Sequence, residues 1–327
     1  MCPYQHHKYH KYKYMQKQYS PAKNFVIPLN NILKEDKTSI KLVESELCKR
    51  GYTFIQMPLG LITKTQNCLK EIDEFFDESL NYKNRYITKP IFGYFGVEHK
   101  ESFRFLTGDR MKEQKIPEDF KEIKQMISDL DKIMILMTKA LSGSLFPKNI
   151  EVPLFNKDKK WGMFDIAKYK NNGKRKEINC IEHYDPGLLS FSICSTEEGL
   201  QLKDEFGKWI KPPKDNSIAI LWAGDYANKL NKNIKRCVHR VVYPTEKNKP
   251  RIGIWYEVCV VKQEHKELIY DKDDVAHKLE DLTGLPTSKT IGPPRKFYEK
   301  KSNEQLELLK KWPRRDSLEG MLLGLRR

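Results

Sequence analysis

Apolar positions recur with two different periods along this chain. Between Ser39 and Lys49 they fall at Ile40, Leu42, Val43 and Leu47, the spacing of an amphipathic helix. The same period returns in Ile62–Asn81, through Leu69, Ile72, Phe75, Phe76 and Leu80. It returns again in Pro117–Leu145, where Ile123, Met126, Ile127, Leu130, Ile133, Met134, Met137 and Leu141 form one stripe. The methionines in that stripe read as core. Short strands are predicted at Phe25–Leu29 and Gly51–Met57. From Trp161 onward the pattern becomes that of strands throughout: Met163–Tyr169, Leu188–Cys194, Gly199–Leu202, Trp209–Ile210, Ser217–Trp222, RCVHRVVY and RIGIWYEVCV. Several short strands at regular spacing imply a β-sandwich or barrel, preceded by a helical support. Beyond Val260 the sequence turns charged. Partial helix is predicted for Glu267–Leu282, with helices at Ser302–Trp312 and Asp316–Leu325 covering the barrel.

Alternation decides where the polar residues of the strand region go. His183 and Asp185 are two apart, so on a strand both side chains share a face and Tyr184 takes the other. His239 lies in the β-branched run RCVHRVVY, 56 residues after His183. Two imidazoles and one carboxylate are the ligand set of a non-haem Fe(II) oxygenase site, which keeps coordination positions open. One metal held between two strands of a rolled sheet is therefore expected from His183, Asp185 and His239. On the next strand Arg251, Gly253 and Trp255 share a face. A guanidinium on an inward face needs an anion, and its planar fork suits a carboxylate. The offset along the turn is roughly 10 Å at about 3.3 Å per residue. A small dicarboxylate chelating a metal at one end could meet Arg251 with the other.

Three pieces of wording carry a resemblance: HYDPGLLSF, GLQLKDEFGKWIKPPKDNSIAILWAGD, and VHRVVYP followed by RIG. The chain resembles the isopenicillin-N-synthase-like branch of the Fe(II)/2-oxoglutarate-dependent dioxygenases, also described as iron/ascorbate-dependent oxidoreductases. The resemblance is good over Phe164–Val260 and weaker back to Phe25, where FIQM, EFFDESL, GYFG and KESFRF echo the family's support region. It implies a mixed α+β, mainly β chain whose core is a double-stranded β-helix, or jelly roll. It implies Fe(2+) at His183, Asp185 and His239, with 2-oxoglutarate as cosubstrate and ascorbate as a candidate reductant. It places Tyr169 beside Arg251 at the far carboxylate of 2-oxoglutarate. It implies hydroxylation or another oxidation of an organic substrate with O2, releasing succinate and CO2, and no catalytic side chain beyond the metal centre. The family usually has Arg-x-Ser, and here Gly253 stands in place of the serine. Two other readings remain open: an oxidase of the same fold in which Arg251 holds a substrate carboxylate, and a non-catalytic nucleic-acid-binding protein with a vestigial iron site.

Composition adds partners and compartment. The 327 residues are divided as a basic tail (1–23), an α/β support region (24–160), a jelly-roll core (161–262) and a helical extension (263–327). Net charge is +16, from 60 Lys+Arg against 44 Asp+Glu, spread along the chain as a lysine-rich surface. Residues 1–23 interleave Lys, Tyr and His without an apolar face, so they read as disordered, with a weak nucleic-acid contact as their candidate role. The seven cysteines form no CxxC pair, and no signal peptide or long apolar run is present. The expectation is a cytoplasmic protein with reduced thiols and no membrane association. Cys180, Cys194 and Cys237 read as small buried hydrophobes.

Overall fold

The structure is a computed structural model. It describes residues 26–89, 92–97, 100–148, 162–171, 178–185, 187–243, 249–258, 268–270 and 276–278. The basic tail, with the nucleic-acid contact read there, lies outside the described residues. So do the helices read at Ser302–Trp312 and Asp316–Leu325.

The elements run β1 (Val26–Pro28), α1 (Leu29–Leu33), α2 (Lys37–Arg50), β2 (Tyr52–Gln56), α3 (Leu59–Asp77), α4 (Leu80–Asn84), β3 (Ile87–Lys89), β4 (Phe92–Val97), β5 (Lys100–Leu106) and α5 (Lys121–Leu141). They continue with β6 (Met163–Tyr169), β7 (Ile178–His183), β8 (Leu189–Ser195), β9 (Leu200–Lys203), β10 (Trp209–Ile210), β11 (Ile218–Ala223), α6 (Asp225–Leu230), β12 (His239–Val242), β13 (Arg251–Glu257), β14 (Leu268–Tyr270) and β15 (Ala276–Lys278). Nine strands form one sheet in the order β1-β2-β11-β8-β13-β6-β5-β4-β3, and four form a second in the order β10-β9-β12-β7. Both are antiparallel except where β1 joins β2. The mainly β double-sheet architecture expected of a jelly roll is present. Among the described residues no helix is long and apolar enough to cross a membrane.

Local chemistry sets the helix limits. Asp36 caps α2 by accepting from the Ser39 N–H at 2.8 Å, and Gly51 ends it in the left-handed region (φ 84°). Gly51 is needed twice over, since a Cβ there would stand 2.6 Å from the Lys235 carbonyl oxygen. The helix read over Ile62–Asn81 is two helices. The chain leaves helical geometry at Glu78, and Ser79 caps α4 by accepting from the Tyr82 N–H at 3.2 Å. Within the stretch read as partial helix, Glu267–Leu282, the described residues Leu268–Tyr270 and Ala276–Lys278 instead form the antiparallel pair β14–β15. Leu268-Ile269-Tyr270 has the β-branched and aromatic content that favours extended backbone.

The large sheet has two unlike faces. One packs against helices: Phe103, Phe105, Phe164, Ile166, Ile252, Ile254 and Tyr256 share a core with Phe75, Phe76, Ile123, Met126, Ile127, Leu130, Met134 and Met137. The Met residues of α5 are core, as the spacing required. Phe75 sits at the centre of this layer, 5.1 Å from Phe103 and 5.3 Å from Phe120 between ring centroids. Burying each such ring is worth about 1.5–3 kcal/mol. The other face looks toward the four-stranded sheet, and its apolar members include Tyr52, Phe54, Ala167, Tyr169, Ile220 and Trp222, packed with Leu200, Leu202 and Val241. Because successive side chains alternate, every second residue of β5, β6 and β13 is delivered to this inner space.

Candidate metal centre

β7 and β12 pair antiparallel with His183 opposite His239. Residues far apart in sequence thus put two imidazoles side by side, their ring centroids 4.2 Å apart. β7 ends at His183, so Asp185 lies just beyond the strand rather than on it, unlike the reading from alternation. The turn nevertheless returns its carboxylate to the same point. Its backbone is held there: the Asp225 N–H donates to the Asp185 carbonyl at 2.8 Å, and the Gly187 N–H donates to Glu257 Oε1 at 2.8 Å. Gly224 permits that approach, since a Cβ on it would stand 2.2 Å from the Gly187 carbonyl oxygen. Tyr184 lies under the Arg236 guanidinium, 4.6 Å from its ring centroid.

Donor atoms from His183, Asp185 and His239 all lie within 4.8 Å of one another. Asp185 Oδ1 is 3.9 Å from His183 Nε2 and 3.7 Å from His239 Nε2. The other carboxylate oxygen is already engaged: Ser190 Oγ and Trp222 Nε1 each donate to Oδ2 at 2.6 Å. Asp185 therefore offers one oxygen, Oδ1, toward the two imidazoles. His239 Nδ1 is 3.2 Å from the Cys237 carbonyl, which makes Nδ1 the protonated nitrogen and leaves Nε2 with its lone pair. His183 Nδ1 lies 3.7 Å from Cys180 Sγ. Ser190 and Trp222 were not singled out from the sequence. Alternation along Leu189–Ser195 puts Ser190 on the inner face, and a buried indole N–H needs an acceptor, so both signals were there.

Burial, then the neighbouring His183, push His239 down to about 4, so its ring is neutral at pH 7. Burial alone would raise the Asp185 carboxyl. His239, His183 and the hydrogen bonds from Ser190 and Trp222 outweigh it and hold the group below its usual value. The donor set thus includes a neutral His239 imidazole and the Asp185 carboxylate, both deprotonated where a metal must bind. One consequence is testable without metal. An unfolded His239 takes up its proton near pH 6.5 and the folded one only near 4, so the unfolded state binds more protons in that window. Stability of the metal-free protein should fall as pH drops from 6.5 toward 4, by up to about 1.4 kcal/mol per pH unit. Urea unfolding at a series of pH values reads this slope, and His239→Gln should flatten it. A slope unchanged by that substitution would show that other groups control the window.

Arg251 and Tyr169 face each other across β13 and β6, both on the inner face. The Arg251 carbon Cζ is 5.7 Å from the Tyr169 ring centroid, and Lys100 Nζ is 5.7 Å from the same ring. Burial, and then the nearby Cys180 thiol, push the Tyr169 phenol well above its ordinary value, so it is a neutral hydrogen-bonding group. Burial lowers the Arg251 guanidinium, with Tyr169 pulling the other way. Arg251 is 4% exposed, and its Nε has no hydrogen-bond partner among the described residues. A buried guanidinium of this kind has a donor that an anion could meet. Its stem runs past Gly199, where a Cβ would lie 3.3 Å from Cδ, and its head lies along Gly253, where a Cβ would lie 3.0 Å from Nη1. Gly253 therefore makes room for the guanidinium. Gly253→Ala should push that head aside and weaken dicarboxylate binding. Gly253→Ser adds a hydroxyl worth about 1 kcal/mol, so it should bind 2-oxoglutarate about fivefold tighter than Gly253→Ala. Equal dissociation constants for the two variants would mean that no carboxylate lies at this position. Cys194 and Cys237 are buried, as read, and Cys180 is half-buried beside His183.

Residues 162–259 match the family model described as the 2OG-Fe(II) oxygenase superfamily. No curated protein matches the chain in sequence. Several solved structures share its fold. The full-length T7H of Neurospora crassa, solved with alpha-KG, is 17% identical with a TM-score of 0.61, over 77% of this chain and 90% of that one. The rice dioxygenase for auxin oxidation is 16% identical with a TM-score of 0.59, over 79% and 92%. A putative oxygenase from Shewanella oneidensis is 19% identical with a TM-score of 0.59, over 72% and 90%.

Proposed function

We propose, from the match of residues 162–259 to the 2OG-Fe(II) oxygenase superfamily model, that His183, Asp185 and His239 hold the iron and that Arg251 and Tyr169 hold the far carboxylate of 2-oxoglutarate. The protein is then an Fe(II)- and 2-oxoglutarate-dependent dioxygenase that oxidises an organic substrate. The observation that carries this is the convergence of His183 Nε2 and His239 Nε2 on Asp185 Oδ1. Two imidazoles and one carboxylate on one side of an ion fit Fe(II) and leave its opposite side open to ligands.

Each residue has a separate task. His183 and His239 donate from Nε2, and the Cys237 carbonyl fixes the His239 tautomer. Ser190 and Trp222 hold Asp185 Oδ2, which would leave Oδ1 for the metal and keep the carboxylate from turning away. Arg251 would neutralise the distal carboxylate through its guanidinium, with the neutral Tyr169 phenol, 5.7 Å from Cζ to ring centroid, beside it. Packing of Trp222 on His239, 4.9 Å between ring centroids, restrains the imidazole from rotating. Bound iron with 2-oxoglutarate and dioxygen supplies the oxidant for a C–H bond, the cosubstrate leaving as succinate and CO2. No side-chain acid or base is required, and none is proposed.

The similar structures differ in what they handle: the Neurospora protein has been solved with thymine, and the rice protein is named for auxin. One fold carrying such unlike molecules puts substrate choice in the residues around the inner space. The reading also keeps a cytoplasmic location, on the free cysteines, and a weak nucleic-acid contact at residues 1–23, on their lysines and tyrosines. Aerobic incubation of the Fe(II)-loaded protein with 2-oxoglutarate tests the function. Slow uncoupled succinate formation that stops when iron or oxygen is withdrawn is expected. Oxygen uptake with no succinate would instead indicate a same-fold oxidase in which Arg251 holds a substrate.

A further inference from the structure

Cys180 and His183 are three residues apart on β7, and on a regular strand such residues face opposite ways. Here they meet, with Cys180 Sγ 3.7 Å from His183 Nδ1. The pairing with β12 shows why. His239 lies opposite His183 and Val241 opposite Cys180, so two steps along β12 match three along β7. β7 therefore carries one extra residue between Cys180 and His183, a β-bulge, and the bulge turns both side chains to one side. That side is the inner one, since Cys180 packs against the core that holds Tyr169, Leu200, Leu202 and Val241. The thiol also adjoins the Tyr169 phenol, which burial pushes up most and Cys180 next. It thus borders both a proposed iron ligand and the proposed anchor of the cosubstrate.

The two imidazoles are backed differently. A metal bound at Nε2 of a neutral ring requires the proton on Nδ1, and each Nδ1–H then needs an acceptor. For His239 that acceptor is the Cys237 carbonyl, at 3.2 Å. For His183 the geometry offers the Cys180 sulfur, a weak acceptor. The His183 side chain is also the more open of the two, 17% exposed against 7%.

We infer that Cys180 is a positioning residue: it accepts from the His183 Nδ1–H, keeps the Nε2 lone pair aimed toward Asp185 Oδ1, and makes His183 the less firmly held of the two imidazoles. The inference rests on the proposed oxygenase reading and adds a residue to its metal centre. The bulge is the device that brings the thiol there, and without it Cys180 would face the opposite side of the sheet.

Cobalt(II) is the probe for a test that does not rely on turnover. It takes the same nitrogen and oxygen donors as iron, and its paramagnetism shifts the imidazole N–H protons clear of the protein's other signals. Proton NMR of the cobalt-loaded protein should show two shifted, exchangeable N–H signals, and calorimetry gives the cobalt affinity. In the parent the His183 signal should exchange with water faster than the His239 signal, which a carbonyl holds. In Cys180→Ala the His183 signal should broaden further while the His239 signal stays sharp. Cobalt affinity should fall about tenfold, the lower end of the range for a partner behind a metal ligand. Cys180→Val refills the volume without an acceptor and should behave like Cys180→Ala. Cys180→Asn carries an amide oxygen that reaches further than the thiol and accepts more strongly, so it should restore both the signal and the affinity. Melting transitions check that each variant is folded. Equal exchange of the two signals in the parent, an unchanged His183 signal or cobalt affinity in folded Cys180→Ala, or recovery in Cys180→Val would overturn the inference. If these responses appear but the iron-loaded parent forms no succinate from 2-oxoglutarate, the oxygenase reading fails and the role of Cys180 stands. Succinate formation by the parent with no response to Cys180→Ala gives the reverse.

Discussion

Replacing Asp185 with alanine is expected to weaken Fe(II) binding by at least about a hundredfold, since partners one layer further out from a metal already account for about 10–100-fold. The carboxylate supplies the one anionic donor of the set, and its loss leaves His183 and His239 with a bare cation. His183→Ala and His239→Ala should each produce a loss of the same order. Asp185→Glu should also bind iron poorly, because the longer side chain carries its carboxylate past the point where both Nε2 atoms converge and away from Ser190 and Trp222. Ser190→Ala and Trp222→Phe remove one hydrogen bond each and should cost about 10–100-fold in iron affinity, with the fold intact. Anaerobic calorimetry with Fe(II) measures all of these. Unchanged affinity in any two of the three alanine variants would remove the site.

Arg251→Ala is expected to raise the 2-oxoglutarate concentration needed for half-maximal succinate formation by roughly 10- to 100-fold, the equivalent of about 1.5–3 kcal/mol for a charged hydrogen bond. The buried Nε, unpartnered among the described residues, is the reason to expect so large an effect. Arg251→Lys should recover part of it, because the charge returns while the planar fork does not. A loss in the alanine variant that iron saturation cures would point to the metal instead. Saturation at the parent's concentration would mean that Arg251 holds another anion.

Much of this site could be read from local pattern. Alternation placed Arg251, Gly253 and Trp255 on one face, and the pairing of β13 with β6 and β8 keeps them there. The heptad-like stripe of α5 identified Met126, Met134 and Met137 as core. What escaped is what depends on register between distant strands. That His183 pairs with His239, or that Arg251 faces Tyr169, is decided by hydrogen bonds between segments 56 and 82 residues apart, and no local period records it. Asp185 was placed on the strand, though it lies two residues past its end, for a related reason. Alternation cannot tell where a strand stops, and here β7 stops at His183. Ser79 is a local signal that was passed over: a serine ahead of Leu80 is a helix start, and it divides α3 from α4. Gly253 reads in the sequence as a lost hydroxyl. In the structure it is also the space in which the Arg251 head lies.

The central claim is that iron and 2-oxoglutarate occupy one continuous site, the metal at His183, Asp185 and His239 and the distal carboxylate at Arg251. Anaerobic calorimetry of 2-oxoglutarate, with and without Fe(II), tests it most directly. The account predicts binding that is at least about tenfold tighter with iron present, an advantage lost in Asp185→Ala, and weak binding in Arg251→Ala whether or not iron is added. The same 2-oxoglutarate affinity with and without Fe(II) would contradict it.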